Sequence, residues 1–270
     1  PLAVPPPLSI AHSSRGGGFL VTDATGFTHR LAGSTLRVKP VSIDMLELNG
    51  QAYPGQFLLH VQGPGQFDVI NHVSIEQYLP GVLQKELYSH WHDEAFAAQA
   101  VAARSYAIAQ LDRSRHRHYD MESTQASQAY VGRAINPKTY RAVRRTWGEV
   151  LTYNGQIVTA YYSSCTGGVG QDAAIAFPNG EDIPPLRGRQ QGDWGKASPY
   201  YRWGPIVRDR ETYTRRIAAW GRARQHPIGD LRSLRSIRIT ARNRPPRTVH
   251  PRRCPRPIVH PRPRSVPCRK

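Results

Sequence analysis

One carboxylate, Glu86, closes the helix-forming run YLPGVLQKEL, with Leu83, Leu87 and Trp91 as apolar neighbours along the chain. Such neighbours can desolvate a glutamate, keep it protonated and suit it to general-acid chemistry. Arg104 follows eighteen residues later, after a segment, YSHWH, that breaks the helix. Folded back, its planar fork could orient the Glu86 carboxylate or bind a carbonyl oxygen. Gln99, between them, could hydrogen-bond a sugar or the backbone. Ser163, Ser164, Thr166, Gly167 and Gly168 make a small polar loop, and the glycines allow close approach of another chain. Tyr200, Tyr201 and Arg202 form a second polar cluster in SPYYRW. Spacing alone leaves plainer readings open. Glu86 fits a solvated glutamate at a helix end. Arg104 fits an ion pair with Glu94 or Asp120, Gln99 fits a packing or capping role, and residues 163–168 fit a turn.

Other chemistries find less support. His90 and His92, and His116 and His118, are two apart, but each pair lies in a polar segment with no acid or cysteine at a recognised spacing to complete a metal site. Solvated histidines are the expectation. The three cysteines, Cys165, Cys254 and Cys268, are too few for a disulfide framework or a four-cysteine zinc site.

The elements that must carry these residues can be read from pattern. Residues 1–16 are rich in proline and are expected to be a loose leader. From Gly17 to about Val73, short alternating runs broken by Gly, Pro and Asn predict β-strands. Ser74 with Gln77 suggests a capping box for a helix over SIEQYLPGVLQKEL, in which Pro80 must kink the helix or lie near its start. Asp93–Asp112 predicts a second helix capped by Asp93, with Phe96, Ala100, Ala103 and Ala107 on one stripe. PKTYRAVRRTW predicts a third, with Pro137 near its N-terminus and Gly148 as its stop. Asn154-Gly155 between two β-rich runs predicts a hairpin. The stretch IVRDRETYTRRIAAWGRA reads as a strand followed by a short helix, and RSLRSIRITARN as a final strand. Together these elements are compatible with an α+β fold, mainly antiparallel β-structure with a few flanking helices.

The chain has 270 residues with a net charge of +18, long enough for a real core without covalent staples. No apolar run approaches the ~18 residues of a membrane helix. The start at Pro1 shows no signal-peptide pattern. Charge concentrates at the end: residues 241–270 hold nine Arg, one Lys, eight Pro and no acid. Such a segment cannot offset its ordering entropy by burial and is expected to be disordered. Its Arg/Pro/His vocabulary fits a genuine basic tail or a reading-frame error in GC-rich coding sequence. No nucleic-acid-binding motif accompanies it, so no specific nucleic-acid partner is expected.

The block Tyr78–Ala107, YLPGVLQKELYSHWHDEAFAAQAVAARSYA, resembles the stage II sporulation protein D/LytB family. That family's hallmark is similar to YLxGVV-x-x-EM followed by W-x-x-EALKAQAVAARTYA. The match runs without a gap through Tyr78, Gly81, Glu86, Trp91, Glu94, Gln99, Arg104 and Tyr106, with Leu87 and Ser105 as mild departures. Weaker similarity reaches YDMESTQASQAYVG, TWGEVLTYNGQIVTAYYSSCTGG and SPYYRW, so the resemblance covers about residues 35–240.

The resemblance, which chiefly supports the α+β expectation, implies a domain over residues 17–243, between the leader and a tail at 244–270, with a cleft that binds peptidoglycan glycan strands. It implies a lytic transglycosylase with Glu86 as the one catalytic acid/base. Arg104, Gln99, Ser163, Ser164, Tyr201 and Arg202 would be the substrate-binding residues. The alternative is a non-catalytic wall-binding enhancer of an N-acetylmuramoyl-L-alanine amidase, which would make a cell-wall amidase the partner. Either reading implies an extracytoplasmic location. Some relatives carry a metal near the serine loop, but Tyr162 stands where they have a histidine and Cys165 is alone, so no metal or other cofactor is expected.

Overall fold

The computed structural model describes residues 3, 6–13, 17–41, 45–177, 180–202, 204 and 206–238. The expected tail at 244–270 lies outside them. The fold is α+β, with five helices and ten strands among the described residues. It divides into two compact units, the first running to Tyr161 and the second beginning at Tyr162.

The first unit opens with antiparallel strands. Strands β1 (Ser9–His12), β2 (Phe19–Thr22) and β3 (Thr28–Leu31) form one sheet. Ser9–His12 thus pair with β2 inside the segment expected to be loose, with Ser9 opposite Thr22 and His12 opposite Phe19. A second sheet has the order β4 (Thr35–Val38), β7 (Gln56–Gly63), β8 (Gln66–His72). Between them in sequence, β5 (Met45–Leu48) and β6 (Gln51–Pro54) make a hairpin. Alternation is what makes these runs strands: along β7, Phe57 and Leu59 point inward. With Phe19 they form an apolar cluster against which Leu36, Leu48, Tyr53 and Phe67 pack. Phe67 meets Phe19 edge-on at 5.8 Å between ring centroids.

Three helices follow and pack on one another. They are α1 (Ile75–Glu86), α2 (Asp93–Arg113) and α3 (Pro137–Arg145). Leu79, Val82, Leu83, Phe96, Ala100 and Ala103 are fully buried, and the predicted alanine stripe of α2 is its buried face. Alanines at these positions let the helix axes come close. The caps differ in detail from the sequence expectation. The Ser74 hydroxyl donates to Gln77 Oε1 (2.8 Å) rather than capping the backbone. At α2 the cap is His92, not Asp93: His92 Nδ1 accepts from the Glu94 amide. Pro80 lies beyond the first turn, inside a helix that continues to Glu86. Asn136 caps α3, with Pro137 in the first turn as predicted. Strands β9 (Thr152–Tyr153) and β10 (Gln156–Ile157) form the hairpin read from Asn154-Gly155, both turn residues having positive φ.

The second unit carries the short helix α4 (Ala173–Ala176), a 3-10 turn at Pro184–Leu186, and α5 (Arg210–Ala223). A further 3-10 turn, Pro227–Asp230, folds back on α5. Asp209 caps α5 by accepting from the Thr212 amide at 2.7 Å. Two strand expectations are corrected here. The described residues before α5 are irregular, and so are residues 231–238, where a final strand was expected. The remainder of that strand lies outside the described residues. In 232–238 arginine recurs at every third position (Arg232, Arg235 and Arg238), which gives no apolar alternation for a sheet to bury.

Candidate functional site

Glu86 is the last residue of α1, and the chain turns away at Leu87, whose amide still bonds to Leu83 O at 3.0 Å. The carboxyl is half-buried and lines a pocket of 470 Å³ with Lys85, Ser123, Thr124, Gln125, Ala126 and Ala129. Burial raises its pKa above the ordinary glutamate value, and the Ala129 backbone N–H, which donates to the carboxyl, offsets part of that rise. The raised pKa matches the sequence expectation, but its setting does not. The wall of the pocket is the 123–129 loop, not Leu83, Leu87 and Trp91. Lys85 lines the same pocket.

The loop is held by its own side chains. Buried Gln128 donates through Nε2 to Ala103 O of α2 (3.2 Å) and accepts from the Tyr78 hydroxyl of α1 (3.2 Å). Tyr130 follows and stacks at a tilt on Tyr78, with centroids 4.7 Å apart, while its hydroxyl donates to Asn71 Oδ1. Gly81 makes this fit possible: a Cβ there would collide with Gly132 O and the Tyr130 ring. The glycine of YLPGVL is therefore a packing requirement, and it sets where Ala129 can meet Glu86. Sequence reasoning did not assign Ser123, Thr124 and Gln125 to the site. Their signal was present in the family-like YDMESTQASQAYVG segment, but nothing local ties a polar loop to a helix end forty residues away.

A second and larger hollow, 560 Å³, adjoins the first and shares Ser123 and Thr124 with it. Its lining combines Tyr53, Val69, Leu111 and Tyr119 with the carboxylates Asp68 and Asp120. Asp120 accepts from the Ser114 hydroxyl at 3.0 Å, and Asp68 meets His118 Nε2 at 2.7 Å.

Arg104 departs most from its expected role. It is 1% exposed, with a two-pronged ion pair to Glu76: Nε to Oε1 and Nη2 to Oε2, both 2.8 Å. Its Nη1 donates to Glu149 O at 3.0 Å. The fork thus clamps α1 to α2 and to the turn after α3, and it presents no free edge to a substrate. Neither alternative partner applies, since Glu94 pairs with Arg145 and Asp120 with Ser114. Gln99 is half-buried on α2, and its Nε2 is buried without a hydrogen-bond partner among the described residues. The histidines have structural contacts. His92 caps α2, His90 stacks near Tyr88, and His118 stacks on His60 at 4.4 Å.

The remaining predicted residues lie in the second unit. Ser163, Ser164 and Arg202 are exposed, and Tyr201 is half-buried. The unit brings Tyr201 onto the serine loop: a Cβ at Gly168, whose φ is +91°, would stand 2.5 Å from the Tyr201 hydroxyl. The close approach expected of the glycine pair is therefore made by the chain's own tyrosine. Cys165 is a free thiol beside the same ring and Gly195.

Comparison with known proteins bears on the first unit above all. The family described as stage II sporulation protein matches residues 64–153, a span that includes Glu86, Gln99, Arg104 and the 123–129 loop. An uncharacterized protein of Brachyspira hyodysenteriae is 35% identical over 147 residues, covering 54% of this chain and 39% of that protein. The amidase enhancer of Bacillus subtilis is 36% identical over 140 residues, covering 50% of this chain and 19% of its own length. Stage II sporulation protein D of the same organism is 25% identical over 210 residues, covering 71% of this chain and 55% of its own length. The chain thus spans between about a fifth and just over half of these relatives. Over residues 64–153 the chain is thus similar to the stage II sporulation protein family, and over about half its length or more to relatives named amidase enhancer and stage II sporulation protein D.

Proposed function

We propose that this protein is a lytic transglycosylase of peptidoglycan, with Glu86 as its one acid/base. The observation that carries the reading is the half-buried Glu86 carboxyl, its pKa raised by burial, at an open pocket that shares Ser123 and Thr124 with a larger hollow. A raised pKa keeps a proton available for the glycosidic oxygen. In the proposed reaction Glu86 gives that proton to the leaving oxygen as the C1–O bond breaks with oxocarbenium character. The C6 hydroxyl of the same muramyl residue then attacks C1. Glu86, now a carboxylate, takes the hydroxyl proton, and the sugar closes into a 1,6-anhydro ring. No second carboxylate is required, unlike ordinary glycoside hydrolysis. The Ala129 N–H steadies the carboxylate between the two proton transfers. The adjoining hollow, with tyrosine faces beside carboxylates, suits sugar rings that need stacking and hydrogen bonds together. Arg104 acts by positioning α1, and Ser163, Ser164, Tyr201 and Arg202 are proposed glycan contacts of the second unit.

The alternative, a wall-binding partner that stimulates an N-acetylmuramoyl-L-alanine amidase, draws on the relative named amidase enhancer. Both readings place the protein outside the cytoplasm. Among the described residues no helix is long and apolar enough to cross a membrane. Mass spectrometry of the products from purified glycan strands separates the readings. Anhydro-ended fragments, lost with Glu86→Gln, are expected. A folded protein that cleaves nothing yet accelerates an amidase would favour the alternative.

A further inference from the structure

The second unit contains a cluster of cations that the proposed reaction does not use. Along one side of α5, Arg210, Arg215 and Arg222 line a hollow of 440 Å³ that is closed by Arg232 and Ser233 of the following irregular segment. Among the described residues of its lining, Glu211 is the one carboxylate beside four arginines. Two of the arginines are fixed in place. Arg215 donates to Glu211 Oε1 (2.6 Å) and Thr212 Oγ1 (3.2 Å), and Arg222 donates to Gly229 O (3.0 Å). The side chains of Arg210 and Arg232 have no hydrogen-bond or ion-pair partner among the described residues. The hollow's edge is also fixed, because Thr214 Oγ1 donates to Arg210 O and accepts from the Leu234 amide.

Like charges gathered without counter-charges repel, and solvent and salt screen that repulsion only in part. A ligand bearing several oxyanions would relieve it. Guanidinium forks match phosphate oxygens in pairs, which lysine ammonium groups do not. We propose that this hollow is a binding site for clustered phosphate groups, as in a free polyphosphate or a phosphodiester-linked polymer. Arg210 and Arg232 supply the open forks, and Arg215 and Arg222 form the pre-set wall. The proposal is independent of the reaction at Glu86.

Titration calorimetry of the full chain with tripolyphosphate, at fixed ionic strength, tests it. One saturable site is expected. The Arg210→Ser/Arg232→Ser double variant should weaken it roughly tenfold or more, as the loss of charge-assisted hydrogen bonds implies. Glu211→Gln should tighten it, because the competing carboxylate is removed. Arg141→Ser/Arg144→Ser removes the same charge from the exposed face of α3 and should change affinity less than about twofold, since screened distant charges contribute little. Equal losses in the two double variants would mean that net charge alone is sensed, and would overturn the site. So would absence of saturable binding, or duplex DNA binding as tightly with no loss in Arg210→Ser/Arg232→Ser. A parallel titration with poly(glycerol phosphate) separates the sources. Binding of both probes points to a polymer, and binding of tripolyphosphate alone to a free polyphosphate.

Discussion

At the scale of single residues, Glu86 and Arg104 exchange the emphasis that their sequence positions suggest. Burial in its pocket disfavours the charged form of Glu86. Its folded pKa is raised, so the folded state holds this proton more tightly than the unfolded chain does. Stability from that proton is complete below the ordinary glutamate range and is lost as pH rises through the raised value. Glu86→Gln should therefore raise the melting temperature modestly at neutral pH and leave it unchanged well below pH 4, by calorimetry at both pH values. In the proposed reaction the same titration would set the alkaline limb of activity, because only the protonated acid can donate to the leaving oxygen. Arg104 should behave oppositely. Arg104→Ala strands the Glu76 carboxylate, 10% exposed, in the interior and should cost about 3–5 kcal/mol in denaturant unfolding. A cleft arginine would instead leave stability unchanged and raise KM.

At the scale of elements, the helices and the hairpin were legible because periodicity and turn chemistry are local. The alanine stripe of α2, Pro137 at the start of α3 and the Asn154-Gly155 turn each needed only neighbouring residues. The caps were legible in part: Ser74 is the N-cap residue of α1 as read, though its hydroxyl bonds to Gln77 and not to the backbone, while at α2 either of two adjacent polar residues could serve and geometry chose His92 over Asp93. β1 was hidden by the prolines before it: it is ordered by pairing with β2, a contact between segments that no window on residues 9–12 contains. The candidate site shows the same limit. Glu86 was found through its motif, while the loop that encloses it depends on Gln128 bridging Tyr78 and Ala103. Gly81→Ala should force that loop outward at a cost of about 1–3 kcal/mol, the usual penalty for overpacking. Hydrogen exchange should then rise first at residues 129–132 rather than within α2. Gln128→Leu, which removes the bonds to Tyr78 and Ala103, should loosen the same loop and lower kcat more than it raises KM.

At the scale of the whole molecule, the +18 charge sets the encounter with partners more than the fold does. Binding to an anionic wall preparation should weaken several-fold between 50 and 200 mM salt, as screening implies. The effect should persist in Glu86→Gln, because the long-range attraction comes from the many basic groups and not from the proposed acid. The division at Tyr161 could not be read from composition, which changes little there, and the family match ends at residue 153, near that boundary. The central claim is that one glutamate suffices for the chemistry. Its most direct test is mass spectrometry of glycan strands, with and without stem peptides, digested by the protein and by Glu86→Gln in parallel. The account predicts 1,6-anhydromuramyl ends that disappear in the variant. Reducing ends that have gained a water would contradict it, and would direct the search for a second carboxylate to Asp120.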